Sequence, residues 1–194
     1  MPFVLDLIKA IISLLVIIDP LGNVPIFISL TQKATAGKRT KIFRTATTVS
    51  LILLLVFAIA GQQILSLFGV SFNAFMIAGG LLLLAISMKI IIVGEKEKSV
   101  TEEVGAVPIA TPLLIGPGAI TTTIVLIHTS GFLITLISIL VNFLIIFIII
   151  KFIDRIYKFL GKVGTVVIAR IMAIFLAAIA IGFITEGIQK IFFL

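Results

Sequence analysis

Six apolar segments, each long enough to cross a lipid bilayer as a helix, account for most of this sequence and restrict the folds open to it. A membrane-spanning helix needs roughly 20 mostly apolar residues. A soluble domain of 194 residues has too small an interior to bury so many Leu, Ile, Val and Phe side chains. The segments cover residues 3–31, 42–60 (with 61–67 as an extension), 72–93, 107–127, 132–153 and 166–188. We therefore predict an all-α membrane protein, with six transmembrane helices in one polytopic domain over residues 1–194.

The positions of the basic residues predict how the chain is oriented. Lys and Arg concentrate in the cytoplasmic loops of membrane proteins, and 12 of the 15 basic residues lie in or beside loops one, three and five. They are Lys33, Lys38, Arg39, Lys41, Arg44, Lys89, Lys96, Lys98, Lys151, Arg155, Lys158 and Lys162. We therefore predict a cell-membrane protein with both termini outside the cytoplasm. The lipid bilayer, and no nucleic acid, is the partner that these charges predict.

The scarcity of reactive side chains excludes most catalytic chemistry. The sequence has no cysteine and a single histidine, which removes disulfides, thiol nucleophiles and Cys-rich or His-rich metal sites. An intramembrane enzyme needs a nucleophile with its base, or a metal cluster, within the membrane. We therefore expect a protein that is not an enzyme, with no catalytic residue, no metal site and no cofactor.

A short motif occurs twice, at an offset of 92 residues. The aligned pairs are Pro20 with Pro112, Leu21 with Leu113, Pro25 with Pro117, and Thr31 with Thr123. Because three predicted spans separate the two copies, the second copy enters the membrane in the opposite direction, as in the inverted-topology repeats of secondary transporters. We therefore predict two three-helix repeats, residues 1–93 and 106–194, joined by a cytoplasmic loop over residues 94–105.

The repeated prolines predict that the first and fourth helices are discontinuous. Pro20 and Pro25 interrupt one span, and Pro112 and Pro117 interrupt the other, because a proline inside a helix removes a backbone hydrogen bond. Unpaired backbone groups must then line a protein-walled or water-filled cavity. The carbonyl end of a broken helix suits a cation and the N–H end suits an anion, so two facing breaks could hold a small zwitterion. The alternative is that the prolines only kink the helices for packing.

Two charged residues lie within predicted spans and are not explained by topology. Asp19 lies about 24 Å along the first span. Its carboxylate could carry a coupling proton, bind a substrate ammonium group or Na⁺, or simply N-cap a half-helix starting at Pro20. Arg170 either pairs with Asp19 or extends to the cytoplasmic surface. Glu186 and Lys190, four residues apart, are predicted to form an ion pair on the last helix.

Three stretches resemble a known family. Residues 19–27 (Asp-Pro-Leu-Gly-Asn-Val-Pro-Ile-Phe) and 112–122 (Pro-Leu-Leu-Ile-Gly-Pro-Gly-Ala-Ile-Thr-Thr) are similar to the two signature stretches of the MarC family, six-span membrane proteins of bacteria and archaea. Residues 170–172 and the Ala-rich helix after them resemble the family's last span, although Ala173 replaces an expected Gly. The resemblance implies transport of small neutral amino acids, such as glycine and alanine, coupled to protons or cations.

The breaks and the resemblance together predict a transporter that alternates access around a site near the membrane midplane. The residues that we expect to bind the substrate are Asp19, Gly22, Asn23, Gly116, Gly118 and Thr121, with Asp19 as the coupling group for H⁺ or Na⁺. A channel or exporter for other small solutes, built on the same fold, is the alternative. Counterflow separates the two, because a carrier exchanges its substrate and a channel does not.

Overall fold

Helices make up the part of the chain that the structure, a computed structural model, describes: residues 2–31, 35–92 and 115–192. No strand occurs among these residues, so the predicted all-α fold is confirmed for them. In chain order the helices are α1 (Pro2–Ile18), α2 (Val24–Thr31), α3 (Ala36–Leu67), α4 (Phe72–Ile92), α5 (Pro117–Ser130), α6 (Phe132–Lys151) and α7 (Ile153–Phe192).

Four of the described helices are long and apolar enough to cross a membrane. They are Gly37–Leu67, Phe72–Ile92, Phe132–Lys151 and Val163–Phe192, which correspond to predicted spans two, three, five and six. The first predicted span is divided into α1 and α2, so its predicted discontinuity is confirmed. Of the fourth predicted span only α5, 14 residues long, and the two residues before it are described. Residues 93–114, which contain Pro112 and the predicted connecting loop, lie outside the described residues.

Two segments predicted as basic loops are largely helical. α3 begins at Ala36, six residues before the predicted span, and α7 begins at Ile153. The difference has a simple cause, because hydropathy marks only the part of a helix that lipid covers. Lys and Arg are good helix formers, so a helix continues beyond that part into water. Gly161 interrupts α7 with a φ of 62°, and Gly69, between α3 and α4, has a φ of 64°.

α4 and α7 form the most extensive helix–helix contact of the described residues. Glycines bring the two backbones together: a Cβ placed on Gly80 would lie 2.7 Å from the carbonyl oxygen of Ala180, and one on Gly187 would lie 2.9 Å from that of Asn73. As the residue number falls along α4 from Gly80 to Asn73, the number of the contacting residue on α7 rises from Ala180 to Gly187. The two helices are therefore antiparallel and pack through small residues, as is common in membranes.

α5 lies in the centre of the bundle. It contacts α1, α3, α4 and α6, and all of residues 121–126 are buried. Ile124 fills the space beside Gly61 of α3, and the Thr121 side chain fills the space beside Gly79 of α4. Because protein surrounds α5, its ends need not reach the membrane surfaces.

The α4–α7 contact yields a stability prediction. We expect Gly80→Ala to lower the free energy of unfolding by about 1–3 kcal/mol, because the new methyl group meets a backbone carbonyl that cannot turn aside. Gly182→Ala, on the open side of α7, is the matched control: nothing lies within 4 Å of its added Cβ. Alanine's higher helix propensity should raise its stability by up to about 1 kcal/mol. Unfolding by SDS titration of purified protein measures both, and equal stability of the two variants would contradict the packing.

Candidate functional site

A turn over residues 19–23 separates α1 from α2. The backbone N–H of Asp19 still donates to Leu15 O (2.9 Å), and Asp19 O accepts from the N–H of Asn23 (3.1 Å). Asp19 itself has a φ of 40°. A positive φ is strained for most side chains and is tolerated best by Gly, Asn and Asp. The helix therefore ends at a residue whose backbone turns into the left-handed region.

Two polar side chains complete this turn. Oδ1 of Asp19 accepts a hydrogen bond from the N–H of Gly22 at 3.0 Å, and Nδ2 of Asn23 donates to Ile18 O at 3.0 Å. Asp19 thus caps its own turn, and Asn23 satisfies a carbonyl at the end of α1. A helix starting at Pro20 is not found, because α2 begins at Val24. Among the described residues none donates to the second carboxylate oxygen of Asp19, Oδ2.

α7 covers the turn at Gly22. A Cβ on Gly22 would overlap the Asp19 carboxylate and would lie 2.9 Å from Cβ of Ala169 on α7. Position 22 therefore requires a glycine, because the Asp19 carboxylate and Ala169 leave no room for a side chain there. Arg170, the next residue of α7, is exposed, and the ion pairs between described residues include none that joins it to Asp19. The structure brings Ala169, and not the guanidinium of Arg170, to the turn.

The start of α5 lies beside the end of α1. Gly116 precedes Pro117 in an extended conformation, with no side chain capping the helix, and Gly116 O accepts from the N–H of Ala119 at 3.0 Å. A Cβ on Gly118 would collide with Leu83 and would lie 3.4 Å from Cγ2 of Ile17. Ile17 is two residues before Asp19, so the predicted site residues of the first span and of the fourth are neighbours.

The arrangement places complementary groups close together. Asp19 supplies a half-buried carboxylate, which attracts a cation or an ammonium group. In the first turn of α5 the N–H groups of Ala119 and Ile120 donate to Gly116 O and Pro117 has none, so among the described residues only the N–H of Gly118 lacks a backbone acceptor and could attract a carboxylate. Thr121, one turn further along α5, is buried with its methyl group against Gly79. The space beside Gly116 is open, with nothing within 4 Å of an added Cβ, whereas protein side chains fill the space beside Gly22 and Gly118.

Sequence reasoning missed a set of buried polar residues. Ser50, Thr122, Thr123 and Asn142 are fully buried, and each has a side-chain oxygen without a hydrogen-bond partner. A signal was present for two of them, since Ser50 and Asn142 are polar residues in apolar spans, separated by the repeat offset of 92. Thr123 was aligned with Thr31 in the repeat, but neither threonine was expected to be unpaired, because a hydroxyl inside a membrane helix usually bonds to its own backbone.

Side-chain contacts at both ends of the bundle join residues 2–92 to residues 115–192. Nη1 of Arg39 lies 2.8 Å from Oδ1 of Asp154, and the guanidinium lies over the Phe43 ring. At the other end of α3, the rings of Phe72 and His128 stack with their centroids 3.8 Å apart.

The predicted ion pair on the last helix is confirmed. Nζ of Lys190 lies 2.6 Å from Oε1 of Glu186. Both side chains are partly exposed, so the pair contributes little to stability. It marks an end of α7 that lies in water or among lipid headgroups.

Comparison with known proteins identifies the family. The model of the MarC family integral membrane proteins matches residues 4–192. A UPF0056 membrane protein of Archaeoglobus fulgidus is 37% identical over 192 residues, which cover 92% of this chain and 90% of the relative. The UPF0056 membrane protein YhcE of Escherichia coli is 37% identical, covering 95% and 92%, and one of Methanocaldococcus jannaschii is 34% identical, covering 91% and 93%. No solved structure matches the chain. With four apolar helices of membrane-spanning length and a family match over nearly its whole length, the chain belongs to the MarC family of integral membrane proteins.

Proposed function

We propose that this protein is a secondary transporter of small neutral amino acids, such as glycine and alanine. The observation that carries the proposal is the turn at residues 19–23, a carboxylate-bearing break in an apolar helix that packs beside the first turn of α5. The substrate class is the one that the resemblance to the MarC family implies. A zwitterion offers an ammonium group to Asp19 and a carboxylate to the N–H of Gly118 and the positive end of α5.

The surroundings of the break favour a small substrate. Ile17 and Leu83 crowd Gly118, and Ala169 crowds Gly22, so little room remains for a side chain on the ligand. Asn23 and Thr121 are the side chains that we expect to add hydrogen bonds, beside the backbones of Gly22, Gly116 and Gly118.

Alternating access in this proposal depends on two inverted three-helix repeats. Several features support them. Gly69 and Gly161 have nearly equal positive φ values and are 92 residues apart, which is the offset of the proline motif. Pro25 and Pro117, also 92 apart, lie in the first two positions of α2 and α5. α4 and α7, the third span of each repeat, are antiparallel, as inversion requires. The two repeats would rock around the site, with both termini outside the cytoplasm.

Asp19 is the proposed coupling group for H⁺ or Na⁺. We expect Asp19→Asn to reduce gradient-driven accumulation of glycine and alanine in proteoliposomes by at least about tenfold. Loss of the interaction between the carboxylate and the coupling ion, if worth about 1.4 kcal/mol, gives that factor. Asn preserves the size of the side chain and an oxygen for the N–H of Gly22, so folding should persist. Asp6→Asn, on the same helix and outside the turn, is the control. Accumulation by Asp19→Asn at the wild-type level would overturn the coupling role.

Counterflow tests the carrier mechanism itself. Proteoliposomes loaded with unlabelled alanine should take up labelled alanine faster than empty ones, because a carrier returns more quickly with substrate bound. Uptake without trans-stimulation or saturation would instead identify a channel built on the same fold.

Gly22 gives a steric test of the site. We expect Gly22→Ala to abolish the thermal stabilisation of the purified protein by glycine, because the added methyl group overlaps the Asp19 carboxylate and displaces it. Gly37→Ala, with nothing within 4 Å of its added Cβ, should retain that stabilisation. A glycine-dependent shift of equal size in both variants would place the substrate elsewhere.

A further inference from the structure

Two positions that are 92 residues apart carry the most exposed large apolar side chains of the described residues. Phe159 is 90% exposed and Leu67 is 83% exposed. Each lies two residues before a glycine with a positive φ, and each has an exposed apolar neighbour, Val163 or Phe68. An exposed apolar patch marks a surface that lipid or another protein covers.

Both patches lie at the boundary of a membrane-spanning helix. The apolar span of α3 ends at Leu67, and the span in α7 begins four residues after Phe159. The ion pair of Asp154 with Arg39 places the chain near Phe159 at the start of α3, whereas Leu67 is the last residue of that helix. The two patches are therefore at opposite ends of the bundle, each where a span meets the membrane surface.

The two patches differ in charge. Residues 151–162, which we call the basic tip, contain four basic residues and one acidic residue. The equivalent residues 59–70, the uncharged tip, contain no charged residue. Asp154, the acidic residue of the basic tip, is paired with Arg39, so it does not offset the four cations. These are Lys151, Arg155, Lys158 and Lys162.

Two of the cations are held at the end of the α6 span. Nζ of Lys151 lies 5.7 Å from the centroid of the exposed Phe152 ring, and Cζ of Arg155 lies 5.5 Å from it. Neither cation forms an ion pair within the described part of the chain. Ile153 and Tyr157 pack into the core and fix this segment on the bundle. The basic tip thus presents unpaired positive charge where the apolar span ends.

We propose that the basic tip is a binding surface for anionic phospholipid, such as phosphatidylglycerol. The cations attract the headgroups, and Phe159 enters the boundary between headgroups and acyl chains, where exposed aromatic side chains are favourable. A free anion such as inorganic phosphate would satisfy the cations and leave Phe159 in water, so lipid is the occupant that accounts for both features. The uncharged tip meets the other surface through Leu67 and Phe68 without preference for anionic lipid. The inference does not rest on transport.

A single tryptophan at each tip tests this surface. The sequence contains none, so Phe159→Trp and Leu67→Trp each place one indole in the protein. Both positions are exposed, and neither substitution should disturb the core. The full-length variants are reconstituted in phosphatidylcholine vesicles containing a minor fraction of brominated lipid, which quenches indole fluorescence on contact. Both leaflets have the same composition, so the direction of insertion does not affect the result.

We expect brominated phosphatidylglycerol to quench the indole of Phe159→Trp at a several-fold lower mole fraction than brominated phosphatidylcholine. One Lys or Arg near an anionic surface concentrates the lipid about fivefold. The indole of Leu67→Trp is the matched control and should be quenched equally by both lipids. Equal quenching of the Phe159→Trp indole by both lipids, or quenching by neither, would overturn the proposal, as would the same preference for phosphatidylglycerol at position 67.

Removing charge identifies the cations responsible. In the Phe159→Trp protein, Lys151→Gln together with Arg155→Gln should abolish most of the preference for phosphatidylglycerol. Arg44→Gln together with Lys89→Gln removes two exposed charges elsewhere and should retain it. Sodium chloride at about 1 M should suppress the preference, because the Debye length falls to about 3 Å. Inorganic phosphate and chloride at equal, lower ionic strength should act alike. A preference lost only in phosphate would identify a free-anion site instead, and one retained by the first double variant would refute the assignment to these cations.

Discussion

A helix that stops inside a membrane leaves carbonyl and amide groups that lipid cannot satisfy, and the rest of this structure depends on how that need is met. At the end of α1, the Asn23 amide bonds to the Ile18 carbonyl and the Asp19 carboxylate bonds to the N–H of Gly22. These bonds satisfy backbone groups that lipid cannot satisfy. The packing of Ala169 over Gly22 and the position of α5 beside Ile17 surround the break with protein.

The central position of α5 explains why polar residues collect there. A helix that touches lipid needs apolar side chains on its outer face, whereas α5 contacts four other helices and is buried over residues 121–126. Consecutive threonines are acceptable in such a place because their methyl groups pack and their hydroxyls need a partner only locally. Thr121 packs against Gly79, and Thr122 and Thr123 are fully buried with no hydrogen-bond partner for their hydroxyl oxygens. Because Thr122 and Thr123 are fully buried, the lack of a hydrogen-bond partner for their hydroxyls is unusual for threonines in a helix.

The sequence was sufficient to predict those features that depend on local chemistry. Two prolines with a glycine between them predicted the break after Ile18, and hydropathy placed α4 and α6 to within one or two residues. Hydropathy could not locate the ends of α3 and α7, because those helices extend beyond the lipid-covered region. Which way a hydroxyl points, and the fact that Ala169 and not Arg170 packs against the turn at Gly22, depend on tertiary packing, which a linear pattern does not contain. Ser50 and Asn142, two buried polar residues related by the same repeat offset, were not predicted, although the offset would have singled them out.

The contacts at the two ends of the bundle differ in kind. Arg39 and Asp154 form an ion pair in which the carboxylate is largely open to solvent, whereas Phe72 and His128 stack as rings beyond the opposite end of α3, which lies about 42 Å from Arg39 along the helix. Dissolved electrolyte screens an exposed ion pair and leaves ring stacking almost unaffected. A membrane separates two solutions whose compositions vary independently. The end that carries Arg39 therefore responds to the salinity of its own compartment, while the aromatic end is insensitive to the salinity of the other.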